Sequence, residues 1–425
     1  MQMSQSYLES QYGLDDALYQ RLMSTALSRG GDYCDLFFQQ RTVNSIGLED
    51  GEVNRAFASE SLGVGIRVVV GDAAGYAFCE ELEEQSMHEA ARVASSIASG
   101  GAMVEPQAVT AVQPASHYPV QVPWSSVSID ERLPLLTRVN ERVHAQDPRV
   151  AKVRISFSDS ESHMLVVTSD GCKAWDFQPM TTFNVACVAQ QGDRREENHY
   201  ALAGRHGLEL YSEDQLNEIA SEVVARTVLL FDAVKPTAGQ MPVVLAAGSS
   251  GILLHEAIGH GMEADFNRKG TSIYSDRMGQ AIAGKDVSIV DDATLPGARG
   301  SINVDDEGVE GQKTVLVDAG VLRSYIHDRI SAKHYGVAPT GSGRRESFRH
   351  PPLPRMRSTY MLPGPHSRDE IISSVKRGIY AVSFTNGQVQ IGAGDFTFYI
   401  KTGYLIEDGK LTRPIKDVNI IGNGP

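Results

Sequence analysis

Met241–His260, MPVVLAAGSSGILLHEAIGH, sets the reading of the whole chain. The apolar run from Val243 to Ala247 reads as a strand, and Gly248-Ser-Ser-Gly251 as the turn into a helix, with its serines as candidate N-caps. That helix carries His255-Glu256-Ala-Ile-Gly-His260, and its place behind a strand sets it near a domain core. Two His around a Glu is a metal-ligand pattern: neutral imidazoles hold Zn2+ while the carboxylate beside them takes a proton from water. In the common HExxH form the two His stand four residues apart, about 40° round the helix, whereas a five-residue spacing gives about 140°. Here the spacing is five, so the helix must bulge by one residue or unwind, a distortion that Gly259 and Gly261 tolerate. Read alone, the run also suits an ordinary helix with a buried, hydrogen-bonded His and a solvated Glu.

Two further groups of residues bear on the same site. Glu263 and Asp265 follow on the next turn, either as partners that orient the imidazoles or as a solvated acidic pair. Arg344 and Arg345 open an arginine-rich stretch to Tyr360; they are candidates for substrate contact through carboxylates or carbonyls, or anchors of a Pro-rich loop to acidic neighbours.

Outward from the motif, the chain reads as α+β: a mixed α/β N-terminal region followed by a mainly β C-terminal domain carrying the metal-site helix. Asp15-Asp16 start a helical stripe through Leu18, Leu22 and Ala26 that stops at Gly30-Gly31. Strands are predicted over Tyr33–Arg41 and Leu62–Val70, with Asp50-Gly51 and Gly71-Asp72 as turns. A second stripe runs from Leu82 to Gly100-Gly101. Pro106, Pro114, Pro119 and Pro123 mark an extended connection. Ser128-Ile-Asp-Glu131 and Ser212-Glu-Asp-Gln215 are capping boxes, each opening a helix, with strands between them from about Val150 to Tyr200. Beyond Pro236 short strands and a β-rich tail from Gly378 to Ile421 predominate, with helices near Asp328–His334 and Ser367–Lys376. The division expected is an N-terminal α/β subdomain over 1–115, a central α/β subdomain over 116–235 and a C-terminal β-rich domain over 236–425, expected to lack its final tail.

Composition narrows the class. A chain of 425 residues with a formal charge of −14 and no long Lys/Arg cluster argues against direct nucleic-acid binding. Met1-Gln-Met-Ser-Gln-Ser-Tyr-Leu8 has neither the basic start nor the apolar core of a signal peptide, and no apolar run reaches membrane-spanning length, so a cytoplasmic protein without membrane contact is expected. Cys34, Cys79, Cys172 and Cys187 form no CxxC pair and read as reduced and mostly buried.

At HEAIGHGMEADFNRKGTSIYSDRMGQ the sequence resembles the TldD/PmbA family, in particular its TldD-type members, which keep the metal motif that PmbA-type partners lack. Asp305-Asp-Glu-Gly308, Thr340-Gly-Ser-Gly-Arg-Arg345, Pro354-Arg-Met-Arg-Ser-Thr-Tyr360 and Ile421-Gly-Asn-Gly-Pro425 resemble family segments in family order, as does GVGIRVVVGDAAGYAF near the N-terminus. The resemblance implies a zinc-dependent peptidase acting on unfolded or leader-type peptides, as a dimer with itself or with a metal-free PmbA/TldE-type subunit. It implies His255 and His260 as zinc ligands and Glu256 as the catalytic glutamate. The family's third ligand is a Cys beyond the segment that ends here at Pro425, and no Cys of this sequence lies in a matching segment. The alternative expectation is a non-catalytic peptide-binding partner or adaptor. The β-rich C-terminal domain further suggests a peptide held as an added strand.

Overall fold

Alternation along β1 (Tyr33–Glu49) decides how the N-terminal half is layered. Leu36, Phe38, Ile46 and Leu48 are buried on one face, and Asp35 and Phe37 on the other, as the two-residue period of a strand requires. The computed structural model describes residues 7–101, 103–113 and 115–424; the first six residues, Pro114 and Pro425, each drawn on above, lie outside them. Asp50 and Gly51, with φ of 49° and 87°, turn β1 into β2 (Glu52–Val70), and β3 (Ala73–Cys79) follows at Gly71. Both long strands extend further towards this hairpin than the sequence predicts. The added residues of β2, from Glu52 to Glu60, are exposed on both faces and carry no apolar alternation to read.

The sheet has seven strands in the order β3-β2-β1-β5-β6, where β5 is Val150–Thr168 and β6 is Cys172–Gln191. The free edge of β6 takes β7 (Arg194–Gly204) antiparallel and β4 (Thr110–Ala111) parallel. Residues from both expected N-terminal subdomains therefore share one sheet. Helix α1 (Tyr7–Tyr12) precedes α2 (Asp16–Ala26), which packs with α3 (Glu84–Ile97) over one end of a face. Over the other end of that face lie α4 (Ile129–Gln146) and α5 (Glu213–Val228). Ser128 and Glu131 form the full capping box; at α5 Ser212 caps Gln215, but the Gln215 side chain turns to Glu218 instead.

The opposite face receives the C-terminal half. Phe37, Met164 and Val166 pack on Phe348, and Asp35 with its register partner Arg67 meets Glu307 and Arg345. Gly63 and Gly65 permit this approach: a Cβ would come within 2.2 Å of the Phe348 ring at the first and 2.4 Å of the Phe348 carbonyl at the second.

In the C-terminal half, β9 (Ile289–Asp292), β10 (Lys313–Asp318), β11 (Val321–Leu322) and β14 (Thr359–Met361) form a four-stranded sheet, and helix α8 (Arg329–Tyr335), which follows β11 in the chain, sets Ile330 against Tyr33 and Val69 of the N-terminal sheet. A two-stranded ribbon pairs β12 (Gly343–Arg344) with β13 (Leu353–Pro354). After α9 (Arg368–Ser373), the strands β15 (Arg377–Val389), β16 (Asp395–Glu407), β17 (Lys410–Ile415) and β18 (Val418–Asn423) make a five-stranded sheet with β8 (Val243–Leu245). The fold is α+β, and β8, parallel to β15, points the chain into the motif. No helix among the described residues is long and apolar enough to cross a membrane.

Candidate metal centre

Gly248, at φ 104°, breaks the chain away from β8 and lets it coil. Neither serine caps the helix as expected. Ser249 Oγ donates to the Val382 carbonyl and Ser250 Oγ to that of Ala246, so both fasten the turn to the sheet. A short 3-10 turn leads to α6 (Ile252–Leu254), and His255–Gly259 then form a π turn in which the His260 N–H reaches the His255 carbonyl. A π turn closes residue i on i+5, one residue wider than an α turn, so it brings two side chains five apart to one face. This is the bulge that the His spacing demands.

Three contacts hold the turn. Gly259 packs so closely under Met356 that a Cβ would lie 1.9 Å from Sδ. The Tyr274 hydroxyl donates to the Ala257 carbonyl at 3.1 Å, and Asn267 and Ser272 donate to that of Gly261 at 2.8 and 2.7 Å. These bonds satisfy carbonyls that an irregular helix leaves without a regular partner. The far end of β18 also arrives here, with Gly424 beside the Ala257 carbonyl.

On the open face His255, Glu256 and His260 offer ligand atoms all within 4.8 Å of one another, each half-buried. The two imidazole centroids are 4.8 Å apart with their planes at 86°, and Glu256 Oε2 is 4.0 Å from His260 Nε2. Glu263 is buried and accepts from His260 Nδ1 at 3.1 Å, which leaves Nε2 for the open face. That hydrogen bond raises the His260 pKa above its usual value, against the opposing effect of burial. Burial lowers the His255 pKa, helped by the neighbouring His260, and so favours the neutral imidazole that a metal needs. With one imidazole oriented by a carboxylate, the other biased towards its neutral form and a second carboxylate alongside, the donor set fits a divalent metal ion.

The other expected residues divide. Asp265 touches neither imidazole; Arg355 Nη1 sits 3.6 Å from its Oδ2 and 3.4 Å from Glu263 Oε2. Arg345 is buried, its guanidinium held by Asp35, Tyr76 and the Asp306 carbonyl, which leaves nothing to offer a substrate. Arg344 is exposed. Sequence reasoning missed Arg355, Tyr274 and Met356. The segment containing Arg355 and Met356 was singled out, but nothing local ties residue 355 to residue 263.

Three descriptions of one metallopeptidase family match successive parts of the chain. PmbA/TldA metallopeptidase domain 1 matches residues 34–98, the central domain 122–231 and the C-terminal domain 238–425. A Haemophilus influenzae protein named Metalloprotease TldD homolog is 39% identical over 403 residues, spanning 93% of this chain and 84% of that protein. A Saccharolobus solfataricus protein named Zinc metalloprotease TldD homolog is 30% identical over 295 residues, 69% of this chain and 66% of its own length. The crystal structure of TldE from Thermococcus kodakarensis shares the fold, with a TM-score of 0.76 at 20% identity over 96% of this chain and 91% of that one. Matched along nearly its whole length, the chain belongs to the TldD/PmbA family of metallopeptidases.

Proposed function

We propose that this chain is the metal-bearing subunit of a zinc-dependent endopeptidase that cleaves unfolded or leader-type peptides. The observation that carries the reading is the convergence of His255, Glu256 and His260 on one π turn, with ligand atoms within 4.8 Å. His255 and His260 would hold the ion, His260 through Nε2 because Glu263 occupies Nδ1. The third ligand implied by family resemblance would lie beyond Gly424, and Gly424, just past the end of β18, lies beside the Ala257 carbonyl of the motif turn. Zinc bound there would supply Lewis acidity that makes water a stronger acid and the substrate carbonyl more electrophilic. Glu256 takes a proton from the attacking water on a carboxylate oxygen and hands it to the nitrogen of the leaving amine. Arg355 braces Glu263 and Asp265, and so fixes the carboxylate that fixes His260.

Family membership supports a dimer, with a PmbA/TldE-type subunit or with itself, and a cytoplasmic setting. The test is turnover of an unstructured peptide, followed by mass spectrometry, for the chain with and without a PmbA-type partner. Cleavage that stops on chelation and in Glu256→Ala supports the reading; cleavage that persists in Glu256→Ala sinks the mechanism.

A further inference from the structure

Five arginines lie between residues 344 and 357, and four are committed. Arg345 is buried on Asp35, Arg349 pairs with Glu80, and Arg355 bridges Glu263 and Asp265. Arg357 donates to the carbonyls of Gly341 and Gly343. Arg344 stands apart: it is exposed, and among the described residues its guanidinium has no hydrogen bond, ion pair or ring partner.

Its place in the fold gives this vacancy a direction. On the β12–β13 ribbon Arg344 lies opposite Leu353. β13 rests against α7 (Ala264–Arg268), the helix directly after the motif, and two residues past β13 Met356 fills the space over Gly259. Arg344 is close enough to His255 and Glu263 for its charge to act on both, and its other charged neighbours are Arg357, Arg355 and Asp306. Two committed cations thus stand near a third, which Glu263 and Asp306 influence only at a distance and to which no side chain bonds directly. A guanidinium so placed presents a planar pair of donors matched to a carboxylate, and an arriving anion relieves the like-charge crowding.

We propose that Arg344 forms a carboxylate-binding subsite beside His255 and Glu256, selecting peptides that carry an acidic side chain, or end in a free C-terminal carboxylate, next to the bond presented to Glu256. The proposal rests on reading the motif as a peptide-hydrolysing site and adds a preference that the metal and its ligands do not supply. The overall charge of −14 repels acidic peptides at a distance, so the selection is local to this ribbon.

The test uses one unstructured peptide in three forms: with an Asp at the scanned position and an amidated end, neutral with a free C-terminus, and neutral with an amidated end. Binding to the full chain carrying Glu256→Gln is read by fluorescence anisotropy, and cleavage by the chain with an intact Glu256 is read by mass spectrometry. At least one carboxylate-bearing form should bind about tenfold more tightly than the neutral amidated form. Which form does so identifies the source of the carboxylate. Arg344→Gln should bring that ratio towards one, and Arg344→Glu should invert it in favour of a Lys-bearing peptide. Equal binding of all three forms, or a ratio unchanged by Arg344→Gln, overturns the proposal. Discrimination in binding with no cleavage of any form defeats the peptidase reading and leaves the subsite standing.

Discussion

Glu263 decides which nitrogen of His260 remains for an ion. It is a buried carboxylate whose Oε2 serves both His260 Nδ1 and Arg355, while Oε1 has no partner among the described residues. Glu263→Gln keeps the shape and removes the charge, so zinc affinity should fall about 10–100-fold in competition with a chromophoric chelator, whereas an unchanged affinity would remove Glu263 from the site. Spacing i+3 does place Glu263 on His260. Asp265 was expected to share that work, but the backbone turns extended at Glu263 (φ −66°, ψ 121°), and α7 starts afresh, so Asp265 no longer follows the motif face. Arg344 and Arg345 separate at the end of β12: Arg344 is exposed, while Arg345, just past the strand, turns inward onto Asp35.

The element that makes the site is the π turn. Its necessity was legible in the five-residue His spacing, because a regular helix sets the imidazoles too far round to share an ion. Its kind, and the side chains that close it, were not. Met356 comes from a segment about a hundred residues on and Tyr274 from beyond α7, and a hydroxyl donor or a thioether gap-filler leaves no local mark. Gly259→Ala would push a Cβ to 1.9 Å from Met356 Sδ, so Met356 must swing aside from a packed position. A loss of about 1–3 kcal/mol is expected in urea unfolding. Most of it should return when the same change is made in a Met356→Ala background. An equal loss in both backgrounds would mean that the turn itself, and not the contact, rejects a side chain.

Across the whole molecule the two halves meet through charge buried under an apolar sheet face. Asp35 accepts from Arg67 and Arg345, and Arg67 also reaches Glu307 at 2.7 Å. Burial alone would raise the Asp35 pKa, but Arg67 and Arg345 outweigh it and hold the carboxyl below its usual range. A depressed folded pKa contributes stability that is present above the unfolded carboxylate value and lost as the pH falls through the folded one. Asp35→Asn strands two buried guanidiniums on Glu307 and neighbouring acceptors, and should cost about 3–5 kcal/mol at neutral pH, with a smaller penalty in acid. A cost independent of pH would contradict this account of the joint. Helices with caps and strands with apolar alternation were readable from the chain; the seam was not, since pairs such as Arg345 with Asp35 are 310 residues apart. The central claim is that the motif turn gathers a metal site, and zinc content of the purified full chain, measured by elemental analysis, tests it most directly. The account predicts close to one zinc per chain, retained in Glu256→Ala and lost in His255→Ala and His260→Ala. Zinc absent from the unaltered chain, or undiminished in both His variants, would contradict it.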